Sequence, residues 1–243
     1  MLKSNKIRKI FNLIHLPVQV GRKKIFCISM QRNGTTSVGD FLSEHGIRVA
    51  RWKDSVNNHW TYHWSLGDFE TIFNSIAFKS FQAYEDDPWW MPDFYKVLYH
   101  RFPKSKFVLF YRNSDDWFDS MVRHSDGKTL GNTYRHCKIY KRLSEFYQKL
   151  DSQKGFKPTA NTVDNLMLIE ERSRNHYKMV YEEYNREATE FFSKVSKNQF
   201  FLCSLYDSEK WNKLGKFLGI NVKNNYNVHS NKSNAHNITS RLY

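Results

Sequence analysis

Three short, dense apolar runs stand out along the chain, separated by longer stretches of mixed pattern. Residues 24–30 form the first, where Ile25, Phe26 and Ile28 give the density expected of a central strand. A polar loop, residues 31–36, follows. From Ser37 the spacing of Val38, Phe41 and Leu42 predicts a helix that Gly46 stops. Residues 47–52 are a candidate second strand, 68–81 carry scattered helical periodicity, and 85–92 read as a Pro-punctuated loop. Residues 93–102 predict a helix that ends near Pro103. The second dense run, 106–112, predicts a strand. After it Ser114 offers a helix cap, with Asp115 and Asp116 in the first turn. A loop is expected over 125–132, a helix over 133–150, a loop over 151–160, and helices over 163–194. The third run, 199–205, is a strand; 208–218 is a helix stopped by Gly219, and the remainder is polar and loop-like. Strands alternating with helices predict an α/β fold in three layers, a mostly parallel central sheet flanked by helices.

The 243 residues, 40% hydrophobic, suit one globular domain. The expected division is a basic N-terminal arm over 1–22, a single domain over 23–233 and a polar tail over 234–243. The arm holds Lys3, Lys6, Arg8 and Lys9 ahead of "IFNLIHLPVQV". That apolar stretch falls short of the ~18–20 residues of a membrane helix, so no transmembrane segment is expected. Nor does a small-residue cleavage site follow it. Cys27, Cys137 and Cys203 lie far apart and read as buried free thiols of a reducing compartment, which points to the cytoplasm. Sequons at Asn33, Asn231 and Asn237 leave a Golgi or secreted location open.

The formal net charge of +14 calls for an anionic partner. With no Lys/Arg block longer than three residues, no zinc-finger spacing and no RNP pattern, dedicated nucleic-acid binding is not indicated.

Chemistry concentrates in Gln31-Arg32-Asn33-Gly34-Thr35-Thr36-Ser37. A loop between strand and helix aims backbone N–H groups at one point, and the helix dipole adds positive charge there. Gly34 permits close approach, the hydroxyls add donors, and Arg32 adds a charged fork. The Walker pattern is absent, because Thr-Thr follows Gly34 where Lys-Ser/Thr would stand. By itself the stretch also reads as a plain strand–helix turn. Arg112 closes the second strand run, and Ser120 stands eight residues on. They read either as a second phosphate site or as an Arg paired with Asp115 or Asp116 beside a solvated Ser.

Taken together, these motifs resemble the PAPS-dependent sulfotransferases, in the branch found in bacteria and invertebrates. The resemblance covers roughly residues 23–233. It rests on "RNGTTS", on Arg112…Ser120 in the family's order and spacing, and on "FQAYEDDPWW…FPKSKFVLFYRNSDDWFDS", "WNKLGKFLGI" and "NVHSNKS". Two positions depart from the pattern: Asn113-Ser114 replaces Asp-Pro, and no Pro precedes His229. What it implies is a P-loop NTPase-like sulfotransferase fold and transfer of a sulfuryl group from PAPS to a hydroxyl or amine of a glycan or small molecule, releasing PAP, with no metal required. The implied cosubstrate-binding residues are Gln31, Arg32, Asn33, Gly34, Thr35, Thr36, Ser37, Arg112, Ser120 and Lys232. Arg32 is implied as the catalytic cation and Asp86 as the base, with Asp87 as fallback.

His59 and His63, four apart, form a possible metal-binding face with no third ligand near, or else a packed pair, an acceptor-site lining or a base. Trp60, Trp64, Trp89 and Trp90 are expected to flank the acceptor cleft or to pack in the core. Two rival readings stand beside the transferase: a P-loop small-molecule kinase, and a non-catalytic basic binder of nucleic acid or membrane surfaces.

Overall fold

A computed structural model of the chain describes Ile10, Leu13, Ile14 and residues 21–124, 134–152 and 168–230. Five parallel strands run in the order β2-β3-β1-β4-β5: β1 (Ile25–Cys27), β2 (Val49–Ala50), β3 (Ala83–Tyr84), β4 (Lys106–Tyr111) and β5 (Phe200–Ser204). The central pairing sets Phe26 opposite Phe107 and Tyr84. Helices α1 (Thr35–Glu44), α2 (Trp52–Asn57), α3 (Trp60–Ser65), α4 (Phe69–Asn74) and α5 (Ile76–Lys79) fall before β3 or between β2 and β3. Next come α6 (Phe94–Arg101), α7 (Ser114–Arg123), α8 (Tyr134–Ile139), α9 (Leu143–Ser152), α10 (Arg174–Val195) and α11 (Lys210–Leu218).

The central strands β1 and β4 are apolar on both faces because both faces are covered. Along β1, Ile25 and Cys27 join Val38, Phe41, Leu42 and Trp211 on the α1/α11 side. The intervening Phe26 and the following Ile28 join a large aromatic core with Tyr84, Trp89, Phe107 and Phe192 on the other side. A period of two on a strand sends alternate residues to opposite layers, and the continuous apolar run satisfies both. Phe107 and Leu109 repeat the division against Val108 and Phe110 on β4.

Several boundaries differ from the sequence expectations. Helix α1 begins at Thr35, two residues before Ser37, because the helical turn is set by Gly34 (φ 74°) and not by the first apolar residue. The second strand shrinks to Val49–Ala50, and Trp52 opens a helix. Strand β3 was not expected at all; two residues carry too little pattern to be read. Asn113, not Ser114, caps α7, its side chain accepting the Asp115 N–H at 2.9 Å. The helix expected over 133–150 breaks into α8 and α9 at Lys141 (φ 56°). Trp60, Trp89 and Trp90 are in the aromatic core, at most 1% exposed, and do not wall a cleft; Trp64 packs against the same core. The loop expected over 125–132 lies outside the described residues; of the loop expected over 151–160, Asp151 and Ser152 instead complete α9 and the rest lies outside the described residues.

Candidate functional site

The chain passes from β1 to β3 on one side of the sheet and then crosses to β4 on the other. The crevice beyond the carboxyl ends of β1 and β4 is therefore the switch point where α/β sheets bind ligands. The loop after β1 turns sharply there. Arg32 (φ 68°) and Gly34 (φ 74°) are both left-handed, and Asn33 is held between them by its Nδ2 donating to Met30 O at 3.1 Å. Gly34 is needed twice. Its φ disfavours side chains, and a Cβ there would come within 3.0 Å of Leu205 Cδ2. As the cap of α1 it offers no side chain to the first N–H groups, which leaves the positive end of the helix open to an anion.

That helix end borders a cavity of about 300 Å³. Arg32 and Gly34–Ser37 line one wall, and Arg112 enters from the end of β4. Leu205, Tyr206 and Lys210 come from the end of β5 and the start of α11. Asn227–Ser230 line the cavity as well, the Ser230 N–H donating to Ser37 Oγ at 3.0 Å and the Ser230 hydroxyl bonding Asp40.

Among the described residues, neither Arg32 nor Arg112 is paired with a carboxylate. Arg112 Nε is buried with no hydrogen-bond partner. The pairing of Arg112 with Asp115 or Asp116 allowed by the sequence does not form. Asp115 is taken by Lys178 (2.6 Å) and Arg174 (3.3 Å), and Asp116 accepts the Tyr206 hydroxyl. Arg32 donates its Nε to Ser120 Oγ at 3.1 Å, and its Nη1 lies 3.5 Å from His124 Nδ1. Burial first, then Arg112 and Arg123, lower the proton affinity of Arg32, the mark of a cation among cations.

On the far side of β1, β3 ends in Glu85-Asp86-Asp87. Asp86 is left-handed (φ 69°) and half-buried, and its Oδ1 accepts the Asp87 N–H at 2.8 Å. Burial, reinforced by the Asp87 charge, pushes its carboxyl up to about 7, against the pull of Arg135 and Arg32. Glu85 is 3% exposed, and burial followed by the Asp86 charge raises it to about 8. Asp87 is pinned, accepting from Trp90 Nε1 at 2.7 Å and lying 3.4 Å from Arg135.

The cavity thus gathers Arg32, Gly34, Thr35, Thr36, Ser37 and Arg112 from the sequence-predicted set. Ser120 is 8% exposed and joins it through Arg32. Two loop side chains turn elsewhere: Gln31 Nε2 donates to Tyr140 OH at 2.5 Å, and Asn33 is buried. Lys232 lies outside the described residues. His63 Nδ1 is engaged by Asp68 at 3.0 Å, and His59 opens α3 with a left-handed backbone (φ 55°). No group of three or more His, Cys, Asp or Glu placed to hold a metal occurs among the described residues.

Sequence reasoning missed Tyr181. Its hydroxyl accepts the Arg112 N–H at 3.0 Å and reaches Asn33 Oδ1 at 3.1 Å, tying the two strand-end motifs together. Trp117 stacks on its ring at 4.4 Å and donates Nε1 to Gln31 O at 3.0 Å. Both sit on helices with apolar spacing and look like ordinary core residues in sequence. Leu205 and Tyr206 follow β5 without a motif of their own, whereas His229 stands in the tail motif but was given no role.

An open helix terminus flanked by two arginines thus lies at the switch point of a parallel α/β sheet. The chain belongs to the sulfotransferase domain family, whose sequence profile matches residues 24–236. Among solved structures it is similar to a sulfotransferase from Alicyclobacillus acidocaldarius. The identity is 14% over 83% of this chain and 82% of that one, with a TM-score of 0.47. Comparison with curated proteins finds no match. Among the described residues no helix is long and apolar enough to cross a membrane.

Proposed function

We propose that this chain transfers a sulfuryl group from PAPS to a hydroxyl or amine, releasing PAP. One observation carries the reading: Arg112, on the cavity wall at the open end of α1, keeps a buried Nε without a partner. A buried unpaired donor on a cation is costly, and a phosphate oxygen satisfies it. The residues present therefore fit a doubly anionic nucleotide.

PAPS supplies an activated sulfuryl group on a phosphosulfate anhydride. The chain's own residues supply position and charge. N–H groups at Gly34–Ser37, with the Thr35 and Thr36 hydroxyls, hold the 5′-phosphosulfate. Arg112 and Ser120 hold the 3′-phosphate, joined by Lys232 of the tail. Arg32 stabilises negative charge developing on the departing phosphate oxygen, an electrostatic task as in phosphoryl transfer. Asp86, raised into the neutral range, takes the acceptor proton; a base works best with its pKa near the working pH. The arginines carry the charge compensation, so the reading calls for no metal. The acceptor is a glycan or small molecule bearing a hydroxyl or amine. Free, buried Cys27, Cys137 and Cys203 accord with the cytoplasm.

The test is transfer of label from sulfur-labelled PAPS to a panel of hydroxyl and amine acceptors. The reading expects turnover that Arg32→Ala lowers by about 10²–10³. Label transferred equally well by wild type and Arg32→Ala would refute it.

A further inference from the structure

The five strands run parallel, so their amino ends all lie at one pole of the sheet, opposite the cavity. That pole is densely cationic. Lys23 leads into β1, Lys104 and Lys106 into β4, and Lys197 into β5. These three strands are neighbours, spaced by about 5 Å. The register holds their heads level: Ile25 lies opposite Lys106, and Phe107 opposite Phe200. Lys106 Nζ donates to Asn198 O at 2.6 Å, and Gln199 Nε2 donates to Pro103 O and Ser105 O, each at 2.7 Å. The turns before β4 and β5 therefore form one surface. Lys24 Nζ donates to Phe81 O, which brings the end of α5, with Lys79, alongside β1.

These cations lack acidic partners. Lys23, Lys79, Lys104 and Lys197 are exposed, and among the described residues none is paired with a carboxylate. Arg22 is bonded to the neutral Gln82 side chain at 3.3 Å. Two acids near this pole are engaged elsewhere, Glu70 by Arg101 at 3.1 Å and Glu44 by the Tyr226 hydroxyl at 2.7 Å.

Charge alone would suit any polyanion, and the chain leading into this pole selects among them. Ile10, Leu13 and Ile14, at the i, i+3, i+4 spacing of one helix face, are 50–65% exposed. In sequence Lys3, Lys6, Arg8 and Lys9 precede them. Ile14 stands eight residues before Arg22, a reach of about 25 Å at full extension, so the apolar trio and the pole can meet one plane. Cations beside exposed apolar side chains suit a bilayer surface: the headgroups take the charge and the acyl boundary takes the apolar face. A nucleic acid or a soluble glycan would leave the trio in water.

We propose that the amino-end pole of the sheet, together with Ile10, Leu13 and Ile14, docks on an anionic lipid bilayer. The cavity then opens away from the lipid, one strand length off, roughly 17 Å along β4. The inference stands independently of the sulfuryl-transfer reading.

The experiment is co-sedimentation of the full chain with vesicles of phosphatidylcholine alone, or with about a third phosphatidylserine, at near-physiological salt. Wild type should partition onto the phosphatidylserine vesicles and not onto phosphatidylcholine alone. The triple variant Lys23→Gln/Lys104→Gln/Lys197→Gln should partition about 100-fold more weakly, since each cation near such a surface is worth about fivefold. All three side chains are exposed, and thermal melting like that of wild type checks that the fold is kept. Ile10→Ser/Leu13→Ser/Ile14→Ser should weaken partitioning about tenfold. No partitioning of wild type onto phosphatidylserine vesicles, or equal partitioning by the lysine variant, overturns the proposal. Full partitioning by the serine variant overturns it in favour of a soluble polyanion held by charge alone.

Discussion

Arg32 Nε donates to Ser120 Oγ across 3.1 Å, joining the loop after β1 to α7 over 88 residues of sequence. The cation assigned to the departing oxygen and the hydroxyl assigned to the 3′-phosphate are therefore one hydrogen-bonded unit. Ser120→Ala should raise the PAP Kd by about tenfold, the worth of a hydrogen bond to a charged group. It should also lower kcat, because Arg32 loses the partner that orients it. Binding and steady-state kinetics on the one variant check both effects; a changed Kd with kcat intact would separate the two residues.

Arg112 gives a prediction of opposite sign for binding and stability. In the free protein its Nε is buried and unpaired, so Arg112→Met, which keeps the aliphatic stem, should leave the melting temperature unchanged or raise it. The same variant should weaken PAP by about 10–100-fold through loss of charged hydrogen bonds. Thermal melting of the ligand-free variant followed by PAP titration checks both halves.

Asp86 sets the pH dependence. Its carboxyl is raised from the ordinary 3.8 to about 7, chiefly by burial. As the base it must be ionised, so turnover should climb as pH rises through about 7, and Asp86→Asn should remove that limb with a loss of about 10²–10⁴ in kcat. Stability runs the other way. A raised carboxyl favours the folded state fully below its ordinary value and loses that contribution as pH rises through the folded value. The ligand-free wild type should lose melting temperature between about pH 5 and pH 8 more steeply than Asp86→Asn. Melting curves and kcat–pH profiles on the pair give the comparison.

Much of the fold was legible because dense apolar runs form β1, β4 and β5; in β1 and β4 they mark strands covered on both faces. Strand β3 was not, since two residues between helices have no period to read. At the site, the two arginines and the glycine-bearing loop could be read because anion binding needs those residue types at a strand end. The roles of Tyr181 and Trp117 could not. Each acts through hydrogen bonds across the fold, and nothing in local sequence marks those bonds. Of the two fates open to the tryptophans, core packing holds: their size favours burial, and Trp60, Trp89 and Trp90 all reach the core.

Gly34 is a test of the loop alone. Gly34→Ala meets two penalties, a left-handed φ of 74° and a Cβ within 3.0 Å of Leu205 Cδ2. It should cost about 1–2 kcal/mol of stability from the backbone alone and weaken PAP binding. Adding Leu205→Ala should restore the steric part and leave the backbone part. Denaturant unfolding of the single and double variants measures each share.

The central claim, a site that grips a phosphosulfate nucleotide without a metal, is tested most directly by the melting temperature of the wild-type chain in EDTA as PAP or ATP is added. The account predicts a rise of roughly 5–10 °C at a hundredfold excess of PAP over its Kd, and no rise with ATP. No shift with PAP, together with stabilisation by ATP only when Mg²⁺ is restored, would contradict it.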